Sequence, residues 1–318
     1  MTAKTAKRKN SVITIIAIVV LAAVLADLFL PFRAKLAEIE LAPRIFWRLG
    51  PLPISNTLLC SWLAMILLGI FSWRATRHLT DVPAPRSLQN IAEIVVEALY
   101  KFTEGFAGPL AQVFFPVTAT FFIYILTANW VGLLPGIGSI GFWYTQGETR
   151  SFVPLLRGAT ADLNTTVALA ICSVLLSQVY GIRYHGVIGY FSHFLNLGNF
   201  IAFFRALFRE GQIRPGLIFR GLLDLFIGPL ELLEELTKIL SFSFRLFGNI
   251  FGGEVLLAVI AFLAPFLAPL PFMALEVLGG FIQALVFAAL STAFFARAAA
   301  PDPSEGEEPR RLRRHRTN

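Results

Sequence analysis

A succession of long apolar runs governs what this sequence can fold into. They cover approximately 12–32, 58–73, 110–134, 163–182, 215–264 and 273–296, and each is closed by basic residues, prolines or glycines. A helix crosses the hydrocarbon core with about 20 mostly apolar residues. The core offers no water to unsatisfied peptide groups, so such runs become helices. Only 15% of the 318 residues are charged, against about 25% in ordinary soluble domains. This leaves room for several spans and short connections and for no large water-soluble domain. The expected fold class is an all-α polytopic membrane protein with about five to six membrane helices plus an interfacial amphipathic helix.

The net charge of +7 suits retention of basic segments on the cytoplasmic side better than a nucleic-acid partner. Lys4, Lys7, Arg8 and Lys9 precede the first apolar run, and Val24-Leu25-Ala26 has the small-residue ending of a cleavage site. The run continues through Leu28, Phe29 and Leu30, so residues 1–33 read as a signal peptide or as an uncleaved anchor. Residues 34–298 form the membrane domain, and residues 299–318 a basic tail of disordered composition. Arg74, Arg77 and His78 put the end of the 58–73 run in the cytoplasm, whereas Arg33, Lys35, Arg44 and Arg48, on the outer side, run against that rule.

Between the spans, Ser87 is placed to cap a helix with Leu88, Ile91, Ile94, Val95, Leu99 and Phe102 on one face and Glu93, Glu97, Lys101 and Glu104 on the other. Such a helix lies in the interface. Gly136, Gly138 and Gly141 match a dinucleotide-binding spacing, but that fingerprint has meaning only between a strand and a helix. After a membrane run the stretch reads as a flexible outer loop. Residues 183–214, with His185 and His193, read as a mixed cytoplasmic connection without metal-ligand spacing, and Pro265, Pro269 and Pro271 as a turn. Cys60 and Cys172 lie in apolar runs as small hydrophobes. No P-loop, paired Cys-x-x-Cys, metalloprotease motif or nucleophile elbow is present, so the sequence supports no covalent or nucleotide chemistry.

The chemistry lies in the charges of the last two runs. An arginine at the bilayer centre costs roughly 3 kcal/mol on insertion scales, so it faces protein or a water path. At about 100° per residue, Glu231, Glu234, Lys238, Ser241 and Asn249 fall within about 40° of Arg245, a polar stripe on a helix of Leu, Ile and Phe. Glu254 points about 180° away from Arg245. Glu276 and Gln283 share a face of the final run, which a hairpin brings toward Glu254 or Arg245. Gly248 and Gly252, with Gly253 adjacent, have the spacing that admits a close helix, and Gly279 and Gly280 offer the same. A packing reading stands beside the functional one. Arg220 and Asp224 are spaced to pair, Glu234, Glu235 and Lys238 suit an interfacial position, and Asn129, Asp162 and Asn164 suit helix caps.

Ser241 to Glu254, reading Ser-Phe-Ser-Phe-Arg-Leu-Phe-Gly-Asn-Ile-Phe-Gly-Gly-Glu, resembles the signature helix of subunit a of rotary F-type ATP synthases. The resemblance extends to Glu231, to Gln283 within Ile-Gln-Ala-Leu-Val-Phe, to Thr160-Ala161-Asp162-Leu163-Asn164, and to Asn129 with Leu133-Leu134-Pro135. It covers roughly Pro53 to Arg297. It implies a non-catalytic, cofactor-free stator subunit of a cell (inner) membrane, its C-terminus cytoplasmic and its last two helices forming a long tilted hairpin facing a c-ring. Two offset half-channels would carry protons to and from that ring. Arg245 matches the essential arginine; Asn249, Glu254, Glu276 and Gln283 match the outer half-channel; Glu231 and Ser241 match the cytoplasmic one. Asn129, Asp162 and Asn164 take channel or packing roles. The implied partners are c-ring proteolipids, b-type peripheral stalk subunits, the peripheral ATPase sector, protons and the lipid bilayer. Some members pair a carboxylate with a histidine where this chain has Glu254 and Glu276, and others carry an acid where Gly132 stands. A secondary transporter or a purely structural anchor are the competing readings. The first expects internal repeats, and the second leaves the cost of Arg245 unexplained.

Overall fold

The structure, a computed structural model, describes residues 42–50, 52–134, 136–146, 149–194, 215–265 and 267–300. The N-terminal apolar run, the tail and most of the 183–214 connection therefore lie outside the described residues. In chain order, β1 (Ile45–Leu49) and β2 (Leu52–Ser55) precede α1 (Asn56–Thr76), α2 (Leu88–Ala107) and α3 (Ala111–Leu133). Then come β3 (Gly141–Gln146), β4 (Thr149–Pro154), α4 (Leu163–Phe194), α5 (Pro215–Leu263) and α6 (Pro269–Ala298). Five described helical segments are long and apolar enough to cross a membrane: Asn56–Thr76, Leu88–Leu133, Leu163–Val187, Phe226–Leu263 and Pro269–Ala298. The surface is inverted relative to a soluble protein. Ile66, Leu175, Leu236 and Ile282 are exposed, whereas Asn129, Thr118, Ser173 and Gln283 are buried. Lipid is the solvent that suits such a surface, and the chain is a multi-pass membrane protein.

The starts of the helices are written locally. The Ser87 side chain accepts a hydrogen bond from the Asn90 amide at 3.1 Å, capping α2 as its position predicts. Pro269 and Pro271 do not form a turn: they stand in the first turn of α6, where missing amide donors cost nothing. The glycine-rich stretch after α3 is likewise not an irregular loop. Gly136, at φ 95°, leads into a 3-10 turn at Ile137–Ser139, and β3 and β4 pair antiparallel from Gly141↔Pro154 to Gln146↔Thr149. Aromatic and β-branched residues on both strands favour that pairing. α4 runs beyond the expected end at Ile182, bending at Gly186, whose φ of 73° only glycine adopts readily.

The chain divides into two compact units. In the first, drawn from residues up to Ile70, Tyr124–Asp162 and Leu246–Ala284, the core is made of small side chains: Cys60, Ala64, Ala128, Val131 and Ala159, with Leu63 and Tyr124 against them. Small residues let backbones approach closely, which drives helix association where lipid removes the hydrophobic incentive. The Ser61 and Tyr124 hydroxyls share a hydrogen bond of 2.6 Å.

In the second unit, drawn from Phe71–Ile123, Leu163–Arg245 and residues from Leu285 on, α6 is the hub. Thr118 on α3 and Ser173 on α4 each share a 2.7 Å hydrogen bond with α6, through Thr292 and Ser291. Thr166 and Ser243 link α4 to α5 at 3.1 Å. Rings fill the space between these hydroxyl pairs, with Phe114, Tyr180 and Phe295 in mutual edge or tilted contact and Phe242 against Phe287 and Phe294.

Candidate functional site

In the first unit, the polar residues of α5 and α6 meet the turn before α4. The Asn129 amide donates to the Gly280 carbonyl at 3.0 Å, and its side-chain oxygen accepts from the Thr160 hydroxyl at 2.5 Å. Asn129 is thus a buried tie between helices, not a helix cap. Asp162 stands immediately before α4 and accepts a 2.8 Å hydrogen bond from Thr57, tying the start of α1 to the turn that carries Asp162. Asn164 is exposed on the first turn of α4.

Two carboxylates sit in this unit with contrasting surroundings. Glu254 Oε2 lies 3.0 Å from both Nε and Nη2 of Arg157, and the guanidinium also stacks 5.7 Å from the Phe251 ring centre. Glu276 is buried and packs against Gly253, where a methyl group would stand 2.6 Å from its Cδ. Neither of its carboxylate oxygens makes a hydrogen bond among the described residues. The expected approach of the Glu276 face is therefore made to the residue beside Glu254. Asn249 lies in ordinary contact with Gly279, whose added methyl would be 3.5 Å away, and Gln283 is buried farther along α6.

In the second unit, Arg245 is exposed and donates to the Ser241 hydroxyl one turn earlier at 3.2 Å. Among the described residues no carboxylate lies within ion-pair distance of it. Lower on the stripe, Lys238 bridges Glu234 at 3.2 Å and Glu235 at 2.6 Å, and Arg297 reaches Glu234 at 3.2 Å. These charges neutralise one another, as the packing reading expects. Glu231 is half-buried. Beyond the α4 span, burial pushes the Tyr190 phenol up to about 12, with the charges of Glu235 and Glu231 adding to the effect. The side chains of Arg220 and Asp224 lie outside the described ones.

Among the described residues Gly248 and Gly252 receive no neighbouring helix, since a methyl at either would meet nothing within 4 Å. Gly253 and Gly280 are the α5 and α6 glycines that admit close internal contacts. Sequence reasoning missed Arg157 and Thr57, and quoted Thr160 without assigning it a role. Arg157 lies outside every apolar run and finds its partner 97 residues later; its only local signal is a charge five residues before Asp162.

The family described as ATP synthase A chain matches residues 58–296. The chain belongs to that family. It is 34% identical over 254 residues to the ATP synthase subunit a of Moorella thermoacetica, covering 80% of this chain and 95% of that protein. To the subunit a of Syntrophobacter fumaroxidans it is 35% identical over 240 residues, 75% of this chain and 82% of the relative. To that of Gloeobacter violaceus it is 34% identical over 266 residues, 83% and 92%. As an ATP synthase A chain, it is a channel component of the membrane sector of an enzyme complex rather than a catalytic subunit. Gly132, where the resemblance to other members expects an acid in some, is closely packed. A methyl at this position would stand 2.7 Å from the Gly158 Cα, so no acid fits without moving backbone.

Proposed function

We propose that this chain provides two offset half-channels, through which protons reach and leave a ring of proteolipid subunits, and so couples proton flow to rotation and ATP synthesis. The observation that carries the reading is the presentation of Arg245. The guanidinium is exposed on an apolar helix, steadied by Ser241, with no carboxylate of this chain paired to it among the described residues. A charge so costly in lipid calls for a counter-charge from outside the chain. The open surface at Gly248 and Gly252 on the same helix supports a close helical partner there.

A fixed positive charge favours the ionised form of a partner carboxylate. A protonated ring carboxylate arriving at Arg245 releases its proton, and the cation bars a direct passage from one half-channel to the other. Asn249, Glu254, Glu276 and Gln283 line the outer path, and Glu231 and Ser241 the cytoplasmic one. Moving one charge through 100 mV supplies about 2.3 kcal/mol, so several protons are used for each ATP made in the peripheral sector. H⁺ is favoured over Na⁺ as the coupling ion. The b-type stalk holds the subunit against the ring, in a cell membrane with the C-terminus cytoplasmic.

Affinity purification of the chain tests the partnership. Recovery of a small hairpin proteolipid and an ATPase is expected, and a chain that purifies alone from gently solubilised membranes contradicts the reading.

A further inference from the structure

Resting on the outer half-channel reading, we infer that Arg157 is a positioning residue of the proton path: it pins one oxygen of Glu254 and so fixes that carboxylate on the helix that packs, through Gly253, against Glu276. Both guanidinium contacts fall on Oε2, at 3.0 Å from Nε and Nη2. The other oxygen, Oε1, is turned against Gly158, 3.3 Å from where a methyl on that residue would stand. The guanidinium therefore holds one oxygen of the carboxylate while Gly158 bounds the other.

The surroundings are built to hold this arrangement. Arg157 immediately precedes Gly158, whose backbone blocks a methyl at Gly132 at 2.7 Å and where an added methyl would stand 3.3 Å from the Glu254 carboxylate. The following turn is tied to Asn129 through Thr160, and the guanidinium face rests on Phe251, one turn before Glu254. Side-chain exposure is 13% for Arg157 and 29% for Glu254, so solvent screens the pair weakly. Breaking a shielded pair by removing one partner leaves the other charge uncompensated and free to seek a new position. Glu276, in contrast, has both oxygens buried without a hydrogen bond among the described residues. It is the exchanging neighbour, and Glu254 is the fixed one.

The test uses the complete ATP synthase in inverted vesicles, with subunit content matched to wild type, carrying Arg157→Gln, Arg157→Lys, Glu254→Gln or Arg157→Gln with Glu254→Gln. Arg157→Gln lowers the initial rate of ATP-driven pumping about tenfold, while Arg157→Lys stays within about twofold of wild type because it keeps the charge. The double variant falls no further than the worse single one, as members of one unit do. Normal pumping by Arg157→Gln, a lysine variant no better than glutamine, or single losses that multiply in the double variant each overturn the inference. If Arg157→Gln is not incorporated, Arg157→Lys decides alone: pumping within about twofold of wild type supports the pair, and a fall as deep as that of Glu254→Gln refutes it. Glu254→Gln separates the two levels. Normal pumping there overturns the outer half-channel reading along with the inference, whereas a loss there beside normal Arg157→Gln overturns the inference alone.

Discussion

The Asn129 amide donates to the backbone carbonyl of Gly280 at 3.0 Å across 151 residues of sequence. Gly280 permits this contact, because a methyl there would stand 3.1 Å from the Asn129 Cβ. With Thr160 donating to the other end of the same amide, one buried side chain serves α3, α6 and the turn before α4. Asn129→Leu removes the second hydrogen bond to the Gly280 carbonyl and takes from the buried Thr160 hydroxyl its acceptor, and an unsatisfied buried group costs about 1–3 kcal/mol. The expected result is a lower midpoint of thermal inactivation of the assembled complex, measured in detergent. An unchanged midpoint refutes the structural role of Asn129.

Two glycine substitutions separate stability from function. At Gly132 the obstacle is the Gly158 Cα, which cannot yield without moving the chain, so Gly132→Ala reduces the amount of subunit incorporated into membranes. At Gly253 the obstacle is the Glu276 carboxyl, the mobile end of a side chain. Gly253→Ala is incorporated normally but pumps more slowly, because it displaces that carboxyl. Quantitative immunoblotting together with pumping rates checks both; equal behaviour of the two variants contradicts the distinction.

Among the described residues nothing lies within 4 Å of a methyl placed on Gly252, in the middle of a long helix. Gly252→Leu improves helix propensity by somewhat under about 1 kcal/mol, so the isolated subunit is no less stable than wild type. Its association with the proteolipid ring is lost, because the added side chain fills the surface proposed to receive a ring helix. Co-purification yield relative to wild type measures this, and full recovery of the ring with the leucine variant contradicts that placement.

The spans were legible because lipid enforces a simple code: about 20 apolar residues must form a helix. The Ser87 cap and the packing of Glu276 near Glu254 were legible for similar local reasons, a side chain beside its own amides and a heptad spacing on one face. The β3–β4 pair left a fainter trace in Phe142, Trp143, Phe152 and Val153, overshadowed by the three glycines before it. The ties from Thr57 to Asp162 and from Arg157 to Glu254 span 105 and 97 residues. No periodicity encodes such partners, since they depend on which helix ends the fold brings side by side.

Glu276 packs against Gly253, the residue beside Glu254, and two neighbouring carboxylates raise the proton affinity of one of them, so a proton relay between them is testable. Replacing both by glutamine removes the relay while preserving shape. Proton exchange across the outer side, followed as the rate of gradient formation, falls more in the double variant than in either single one if both groups carry protons in turn. Exchange unchanged in the double variant refutes the relay.

ATP-driven proton pumping and passive proton leak, measured in inverted vesicles carrying wild-type chain or Arg245→Ala at equal assembly, test most directly whether Arg245 keeps two half-channels apart. Loss of pumping with a raised leak through the membrane sector is the predicted result. Normal pumping by a fully assembled Arg245→Ala complex would contradict the mechanism.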